Sequence, residues 1–391
     1  MRVLHIGKFF PPYPGGIERY CAELAAEQNA HSVSAALLAH AEPGTWRSRQ
    51  LRVGNVDVML AACHGQLLYA PVSPTFPLLL ARTLRKFKPD LLHLHLPNTS
   101  AFWALLSSAA KRLPWIVHWH ADIPLDTGKR RLRTAYRLYR PWEQALLRRA
   151  SAIVATSTPY FDASAALQPW RSKVRVIPLG IGSEPVPNDT ENSMPWPARG
   201  LRLLAVGRLS YYKGFDVLLR ALAVVPQAQL LLIGDGECKP ALQALAAELD
   251  VDRRVRFAGH VDDIAVARAY AEADVFCLPS LDRAEAFGLV LLEAMRASLP
   301  TVASDVPGSG IGFVVRDRET GLLVPPNDPT ALAAALTELA ADAEQRRRYG
   351  VAGRQRWHDE FTLERSAERV LALYAAVLDA SPHRATRASE T

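Results

Sequence analysis

Short apolar runs alternate with longer amphipathic segments along the first half of the chain. Five of these runs end in small or polar residues, as buried strands do, at residues 2–7, 90–95, 115–120, 152–156 and 174–180. Residues 16–28 and 77–88 instead repeat apolar side chains at the spacing of one helix face. Alternating strands and helices predict a parallel, doubly wound α/β domain.

The strand and helix pattern is interrupted at residues 182–200 and then restarts. This interval is rich in Pro, Asn and Ser and lacks periodicity, so it is the predicted linker. Six further strand-like runs follow at residues 202–207, 228–234, 255–260, 273–280, 300–305 and 321–326. The expected divisions are an α/β domain over 1–181, the linker, a second α/β domain over 201–360, an amphipathic helix over 361–380 and a flexible tail over 381–391.

Composition describes an ordinary globular protein. A chain of 391 residues, 49% apolar and 22% charged, is long enough for two domains. The four cysteines are scattered without a C-x-x-C pair, which favours reduced, intracellular thiols over a disulfide framework. The N-terminus lacks the apolar region of a signal peptide, and no run approaches ~18 consecutive apolar residues. We therefore expect a cytoplasmic protein without a membrane span.

The net charge of +7 is unevenly distributed. Residues 1–180 hold 23 Lys and Arg against 10 Asp and Glu, a balance of +13. Residues 181–391 hold 23 against 29, a balance of −6. This asymmetry predicts that the first half binds an anionic partner. Nucleic acid, a membrane surface and a phosphorylated substrate are all candidates for that partner.

Two glycine-containing loops follow predicted strands, at the edge where open α/β sheets bind ligands. "GRLSYYKG" places Arg208 and Lys213 in one loop, where two cations suit a diphosphate; a solvated basic loop is the alternative. "YPGGIERY" places Gly15 and Gly16 before a helix, where backbone N–H groups can approach a phosphate; a plain tight turn is the alternative.

Histidines recur at every second position of two predicted strands. In "HLH" and "HWHADI" the two histidines of each strand share one face of the sheet. A closed zinc site and a histidine that hydrogen-bonds substrate are both open interpretations. His120 and Asp122 are the more informative pair, because they lie where the strand gives way to a loop.

The apolar stretch "AEAFGLVLLEAM" carries two carboxylates, and burying an unpaired carboxylate is costly. A helix over 286–296 would place Glu285 and Glu293 on one side, on the order of 12 Å apart, with the backbone N–H groups of Phe287 and Gly288 between them. That arrangement suits a molecule with hydroxyls at both ends and an anionic middle, such as a nucleotide sugar. The alternative is that Glu293 caps a helix or forms an ion pair inside the domain.

Together these residues resemble the retaining glycosyltransferases of family GT4. The matching features are the Glu-x7-Glu pair (Glu285, Glu293), the basic loop (Arg208, Lys213), "GGIE" (15–18), "VIPLGI" (176–181), "IGDGE" (233–237) and "GLLVPPNDP" (321–329). The resemblance extends from residue 1 to about 380. It implies the GT-B fold: two facing Rossmann-like domains, a cleft between them, and a C-terminal helix that crosses back to the first.

The resemblance also implies a role for each candidate residue. The catalytic set is His120 beside the donor sugar, Glu285 near the sugar 3-hydroxyl, and Arg208 and Lys213, which neutralise the donor diphosphate and the leaving group. The donor-binding set adds Glu293 on the ribose hydroxyls and the backbone of Gly15, Gly16, Phe287, Gly288 and Leu289. No metal and no cofactor is expected, because cationic side chains and a helix dipole stabilise the developing charge. The implied mechanism is front-face displacement, in which the leaving phosphate assists the acceptor hydroxyl.

The donor is expected to be GDP-mannose. "HWHADI" and "YYKG" resemble the corresponding segments of bacterial mannosyltransferases of polysaccharide assembly. A UDP-hexose or a UDP-N-acetylhexosamine is the alternative donor. Residues 304–312, "SDVPGSGIG", depart from the "GGxPE" form common in the family, and this departure bears on the choice of nucleotide and sugar.

The basic excess has an interpretation in this family. Residues 129–149 interleave Arg and Lys with Leu, Tyr and Trp, as in a helix that lies on an anionic membrane surface. The acceptor would then be a polyprenyl-diphosphate-linked saccharide, and the enzyme would be peripheral on the inner face of the cytoplasmic membrane. A solvated helix packed by its apolar side is the alternative.

Four other classes of protein fit these residues less well. A nucleotide-sugar epimerase of the same fold needs no second acceptor, and a phosphorylase needs a pyridoxal-phosphate lysine in a context not found here. An inactive nucleotide-binding relative is disfavoured by the intact set of basic and acidic residues. A nucleic-acid-binding protein would explain the basic stretch but none of the loop residues of the second half, so no nucleic-acid partner is expected.

Overall fold

The computed structural model describes residues 1–31, 33–124, 130–183 and 195–380. The predicted tail over 381–391 and residues 184–194 of the predicted linker lie outside the described residues. By its internal contacts the chain divides into two compact units: Met1–Gly182 together with the segment from Leu363, and Ser183–Thr362. The last helix therefore belongs to the first unit.

The described residues form strands and helices in regular alternation. The strands are β1 Arg2–Phe9, β2 Ser34–His40, β3 Arg49–Val53, β4 Val56–Ala61, β5 Gly65–Leu67, β6 Ala70–Val72, β7 Leu91–Leu96, β8 Trp115–Trp119, β9 Ala152–Ala155, β10 Val174–Val176, β11 Leu201–Val206, β12 Ala228–Ile233, β13 Val255–Gly259, β14 Val275–Leu278, β15 Thr301–Ser304 and β16 Gly321–Val324. The helices are α1 Gly16–Ala30, α2 Phe76–Phe87, α3 Trp103–Leu106, α4 Ser108–Lys111, α5 Arg130–Arg149, α6 Thr158–Ala163, α7 Phe215–Ala223, α8 Lys239–Glu248, α9 Asp263–Glu272, α10 Leu289–Arg296, α11 Ile311–Val314, α12 Pro329–Ala341, α13 Ala343–Glu360 and α14 Leu363–Asp379. Short 3-10 helices cover Thr99–Phe102, Gln168–Lys173, Tyr211–Lys213 and Asp252–Arg254. Across the described part of the chain, none of the helices combines the length and the apolar character that a bilayer crossing requires.

The first unit is built on an eight-stranded sheet with the order β10-β9-β8-β7-β1-β2-β4-β3. Every neighbouring pair is parallel except β3 and β4. The chain continues from β1 toward one edge and later returns to the other side of β1 at β7. The carboxyl ends of β1 and β7 therefore mark the switch point, where open α/β sheets bind ligands.

The second unit is built on a six-stranded, fully parallel sheet with the order β13-β12-β11-β14-β15-β16. This is the strand order of a dinucleotide-binding Rossmann sheet, and its switch point lies between β11 and β14. Its strands are largely buried apolar runs, as parallel strands covered on both faces are. The predicted α/β fold class is confirmed in both units.

Strands β2 to β6 were not among the predicted elements. β4 is a buried apolar run of the kind that marks a strand, so its omission was an error of the prediction. The other four have a weak signal. β2 is rich in alanine, which has a low strand propensity, although six of its seven residues are buried. β3 is an exposed edge strand without a buried apolar face. β5 and β6 are three residues each, too short to show a period, and pair as an antiparallel hairpin.

Helix α14 packs on helix α1 within the first unit. The Leu363 amide donates to the Ile181 carbonyl oxygen over 3.0 Å at the start of the helix. The Tyr20 hydroxyl then meets the Ser366 hydroxyl at 2.9 Å, and the Gln28 amide donates to the Tyr374 hydroxyl over 3.1 Å. All four of these side chains are buried, so the C-terminal helix completes the core of the first unit.

Candidate functional site

Two loops of the second unit meet at the switch point of its sheet. One follows β11 and covers residues 207–214; the other follows β14 and covers residues 279–288. The Leu281 amide in the second loop donates to the Tyr212 carbonyl oxygen in the first, over 2.7 Å. The topology therefore brings the predicted basic loop and the predicted acidic segment together.

Gly214 allows the close approach of these loops. Its φ of +64° lies in the left-handed region, and a Cβ atom there would meet the Pro279 carbonyl oxygen at 2.1 Å. Gly207 has a similar role, because a Cβ on it would lie 3.2 Å from the end of the Lys213 side chain. The glycines of "GRLSYYKG" thus make room for Lys213 and for the neighbouring loop.

The centre of the site is an ion pair between Lys213 and Glu285. The Lys213 Nζ lies 2.6 Å from Glu285 Oε2, and the two side chains are only 8% and 11% exposed. The Ser280 hydroxyl donates to the same carboxylate oxygen over 3.3 Å. Arg208, on the same loop as Lys213, is exposed. Both predicted cations are therefore present at this edge, one buried and one open to solvent.

Two opposing effects act on the pKa of Lys213. Burial alone lowers the pKa of the ammonium group, because it removes the charge from water. Attraction from Glu285, Tyr212 and Glu293, together with the hydrogen bond to Glu285, outweighs burial and raises the pKa above its ordinary value. Lys213 is therefore a permanent cation at neutral pH, within the electrostatic reach of both predicted acids.

Helix α10 begins later than predicted, and this corrects the spacing argument for the two acids. The helix covers Leu289–Arg296 rather than 286–296, so Glu285 lies in the preceding loop. Gly288, with φ of +82°, turns the chain into the helix. Glu285 faces the site because Lys213 and Ser280 hold it there, and the estimate of two helical turns between the acids was wrong.

The loop at 308–312 positions the acidic segment. The Ser309 hydroxyl donates to the Glu285 carbonyl oxygen over 2.5 Å, and the Gly310 amide donates to the Ala286 carbonyl oxygen over 2.8 Å. A Cβ on Gly310 would lie 2.7 Å from that same oxygen. Residues 304–312, which depart from the usual family form, therefore hold the backbone of Glu285 and Ala286 in place by hydrogen bonds.

Glu293 is held by a residue that the sequence did not reveal. The Tyr270 hydroxyl donates to Glu293 Oε2 over 2.9 Å and also lies 3.2 Å from the Val290 carbonyl oxygen. Tyr270 lies on α9, 23 residues before Glu293, in a helix without unusual composition. No local signal could have found it.

The first turn of α10, with Phe287, Gly288 and Leu289 at its start, carries no capping side chain, as suits a helix end that binds an anion.

The remaining predicted residues lie in the first unit. Gly15 is the N-cap of α1 and Gly16 its first residue, in the loop after β1 at the switch point of that sheet. His120 directly follows β8 and is 3% exposed. Its Nε2 lies 2.9 Å from His95 Nδ1, and burial lowers the pKa of His120 to about 3, so the ring is neutral. Seven predicted residues thus lie in the second unit and three in the first.

Comparison with known proteins identifies the family. A family model described as glycosyl transferases group 1 matches residues 189–356, and a glycosyl transferase 4-like domain matches residues 15–180. A phosphatidyl-myo-inositol mannosyltransferase of Mycobacterium leprae is 31% identical over 90% of this chain and 91% of its own. The chain belongs to the group 1, GT4-like glycosyltransferases. The resemblance drawn from its motifs is confirmed.

Further likenesses to this glycosyltransferase extend over nearly its whole length. The O-antigen chain mannosyltransferase C of Escherichia coli is 28% identical over 97% of this chain and 99% of its own. Among solved structures, a sucrose-phosphate synthase from Thermosynechococcus elongatus has a TM-score of 0.78 at 25% identity, covering 97% of this chain and 100% of that one. The glycosyltransferase therefore has the GT-B fold, with its two Rossmann-like sheets, and its activity is glycosyl transfer.

Replacing Lys213 of this glycosyltransferase by Met should lower the free energy of unfolding by about 3 kcal/mol, because Glu285 is left buried and unpaired. Adding Glu285→Gln in the same chain should recover most of the loss, since the uncompensated charge is then gone. Denaturant unfolding of the wild type, both single variants and the double variant measures the coupling. Additive effects of the two substitutions would contradict a buried ion pair.

Proposed function

We propose that the protein transfers mannose from GDP-mannose to a saccharide acceptor with retention of the anomeric configuration. The observation that carries the proposal is the buried Lys213–Glu285 pair at the switch point, beside the exposed Arg208. A permanent cation, held in place and largely removed from water, is suited to a leaving diphosphate. Arg208 would add a second, bidentate contact to the phosphate oxygens.

Each acid has a role at one end of the donor. Glu293, oriented by the Tyr270 hydroxyl, would accept hydrogen bonds from the ribose hydroxyls. Glu285 would accept one from the sugar 3-hydroxyl while its other contacts keep Lys213 in place. The helix start at Leu289 would direct backbone N–H groups at the phosphates between them. For Gly15, Gly16 and His120 of the first unit, a donor-binding role rests on the family resemblance.

The proposed reaction is a front-face displacement. The bond from the anomeric carbon to the diphosphate oxygen breaks, and a bond from the acceptor oxygen to that carbon forms on the same face. The acceptor hydroxyl proton moves to an oxygen of the leaving phosphate, so no separate protein base is needed. Lys213, Arg208 and the α10 N-terminus would stabilise the diphosphate charge without a metal ion.

The choice of sugar is supported by the relatives, since two of them are named mannosyltransferases at 28% and 31% identity. Guanosine as the base rests on the family resemblance of "HWHADI" and "YYKG". A UDP-hexose or UDP-N-acetylhexosamine transferase is the alternative within the same site. An epimerase of this fold would convert the nucleotide sugar without any acceptor. Release of the sugar from its nucleotide only when a saccharide acceptor is present would therefore distinguish a transferase from an epimerase.

The proposed acceptor is a polyprenyl-diphosphate-linked saccharide in cell-surface polysaccharide synthesis, reached at the inner face of the cytoplasmic membrane. Helix α5 supports this part of the proposal. Along it Arg137 and Arg140 are exposed, Leu138 is 75% exposed and Trp142 is 43% exposed. Leu146 and Leu147 are fully buried, so the helix packs by one side and presents a mixed basic and apolar side to solvent. Such a surface suits anionic lipid.

Calorimetric titration in EDTA with GDP, UDP, GDP-mannose and UDP-glucose tests the donor site. We expect the guanosine pair to bind, and Glu293→Ala to weaken binding by about 10-fold to 100-fold, as loss of a hydrogen bond to a charged group does. The matched control is Glu248→Ala, which removes an exposed carboxylate from α8. Preference for UDP and UDP-glucose would contradict GDP-mannose as the donor. Absence of binding by all four compounds would contradict the proposed donor site.

Sedimentation with phosphatidylcholine vesicles, with and without phosphatidylglycerol, tests the membrane surface. Arg137→Glu should weaken binding to the anionic vesicles by about 10-fold or more, because each basic residue contributes about 1 kcal/mol and the reversal adds repulsion. Arg253→Glu is the matched control, the same change at an exposed arginine of the second unit. Equal weakening by both variants, or no preference for anionic vesicles, would contradict the role of α5.

A further inference from the structure

Five buried histidines of the first unit lie together on one face of its sheet. His5 lies on β1, His93 and His95 on β7, His118 on β8 and His120 just after it. None is more than 3% exposed. The proposed donor site in the second unit does not use four of them. Their hydrogen bonds form two separate chains, and both chains start at one side chain, Gln28.

The first chain leads from Gln28 to His120. Gln28 Oε1 lies 2.8 Å from His5 Nε2, and His5 Nδ1 lies 3.0 Å from His95 Nε2. His95 Nδ1 then lies 2.9 Å from His120 Nε2. Each ring therefore uses one nitrogen toward Gln28 and the other away from it. The chain ends at His120 Nδ1.

The second chain leads from Gln28 to His118. Gln28 Nε2 donates to the Tyr374 hydroxyl over 3.1 Å, and that hydroxyl is hydrogen-bonded to His93 Nδ1. His93 Nε2 lies 3.2 Å from His118 Nδ1. The chain ends at His118 Nε2. Because Tyr374 lies on α14, the C-terminal helix takes part in this chain directly.

The proton order along both chains follows from Gln28. Burial lowers the pKa of every ring, so each is a neutral imidazole with one N–H. Gln28 Oε1 can only accept, so His5, His95 and His120 each carry the proton on Nε2. The Tyr374 hydroxyl accepts from Gln28 and donates to His93, so His93 and His118 also carry theirs on Nε2. The first chain therefore ends in an unprotonated acceptor, His120 Nδ1, and the second ends in an N–H donor, His118 Nε2.

A third buried polar atom, Thr156 Oγ1, lies on the neighbouring strand at the same edge of the sheet. Within the described residues, His118 Nε2, His120 Nδ1 and Thr156 Oγ1 are all buried without a hydrogen-bond partner in the protein. The His118 and His120 rings are parallel within 3°, with centroids 4.2 Å apart. The pairing of Trp119 with Ala155 in β8 and β9 places Thr156 level with His120 on the next strand. The strand register therefore brings a donor, an acceptor and a hydroxyl to the same edge of two adjacent strands.

We propose that His118, His120 and Thr156 form a buried binding site for one hydroxyl group, that of a water molecule or of a bound ligand. This hydroxyl accepts from His118 Nε2 and donates to His120 Nδ1, which joins the two chains into one closed ring of hydrogen bonds. Thr156 supplies the third contact. The site goes beyond the proposed donor chemistry and does not depend on which nucleotide sugar is used.

A hydroxyl fits these atoms better than a metal ion does. Two sets of three histidines, one with His5, His93 and His95 and one with His95, His118 and His120, have ring nitrogens within 4.8 Å of one another. However, stacked parallel rings direct their lone pairs side by side, and a metal must lie in the plane of every ring that ligates it. Several of the nitrogens are also already used in hydrogen bonds between rings.

The closed ring has a consequence for the carboxyl edge of the sheet. His120 and Thr156 each follow the last residue of their strand, at the carboxyl edge of the first unit's sheet. With both of its nitrogens engaged, the His120 ring is fixed in one tautomer and one orientation. Gln28 and Tyr374 are therefore positioning residues, which act on this edge through other side chains.

The first test is a high-resolution crystal structure of the full chain, alone and with GDP-mannose. We expect an oxygen within hydrogen-bond distance of His118 Nε2, His120 Nδ1 and Thr156 Oγ1. A peak in the protein alone identifies water as the source, and a sugar or ribose oxygen seen only in the complex identifies the ligand. Thr156→Val should lose the peak, whereas Thr156→Ser should keep it. No oxygen in either crystal would overturn the proposal.

The second test is 15N NMR of the full chain with labelled histidine, which distinguishes protonated from bare ring nitrogens. Tyr374→Phe should change the tautomers of His93 and His118 and leave His5, His95 and His120 as they are. Tyr20→Phe is the matched control, since Tyr20 also joins α1 to α14 but lies outside both chains. Unchanged tautomers in Tyr374→Phe, or equal changes in both variants, would contradict the two-chain order.

Discussion

The second unit depends on keeping one ammonium and one carboxylate together away from water. Each charge alone would be expensive to bury, and the 2.6 Å contact between Lys213 and Glu285 offsets that cost only while both loops stay in place. The surrounding structure serves this requirement. Gly214 lets the loops touch, Ser280 donates to the carboxylate, and Ser309 holds the backbone of Glu285. The result is a fixed positive centre at the edge where a Rossmann sheet binds its ligand.

The first unit is subject to a different constraint, because it buries the polar rings of five histidines. Five imidazoles are accommodated because each is neutral and their ring nitrogens hydrogen-bond to one another, to Gln28 or to Tyr374. The exceptions are His118 Nε2 and His120 Nδ1, which belong to the proposed hydroxyl site. The C-terminal helix α14 contributes to this core through Tyr374 and Ser366. The helix at the end of the chain is thus joined to the first strands by specific hydrogen bonds as well as by apolar packing.

The sequence predicted the second sheet well, because its six strands are apolar runs bounded by glycines and polar loops. The basic loop was found because it follows a predicted strand, and Glu285 and Glu293 were found because two carboxylates stand out in an apolar stretch. The predicted start of α10 was wrong, because Ser309 and Gly310, which are distant in sequence, hydrogen-bond the Glu285 and Ala286 carbonyl oxygens in the loop before the helix. Tyr270 and the order of the histidine chains were not predictable, since both depend on pairs 23 to 346 residues apart.

In the proposed reaction, the Lys213 cation receives the diphosphate of a nucleotide sugar. The most direct measurement is a crystal structure of the full chain with bound GDP. We expect a phosphate oxygen within about 3 Å of Lys213 Nζ and ribose hydroxyls on Glu293, with Glu285 still paired to the lysine. Phosphates bound elsewhere, with contacts to neither Lys213 nor Arg208, would contradict it.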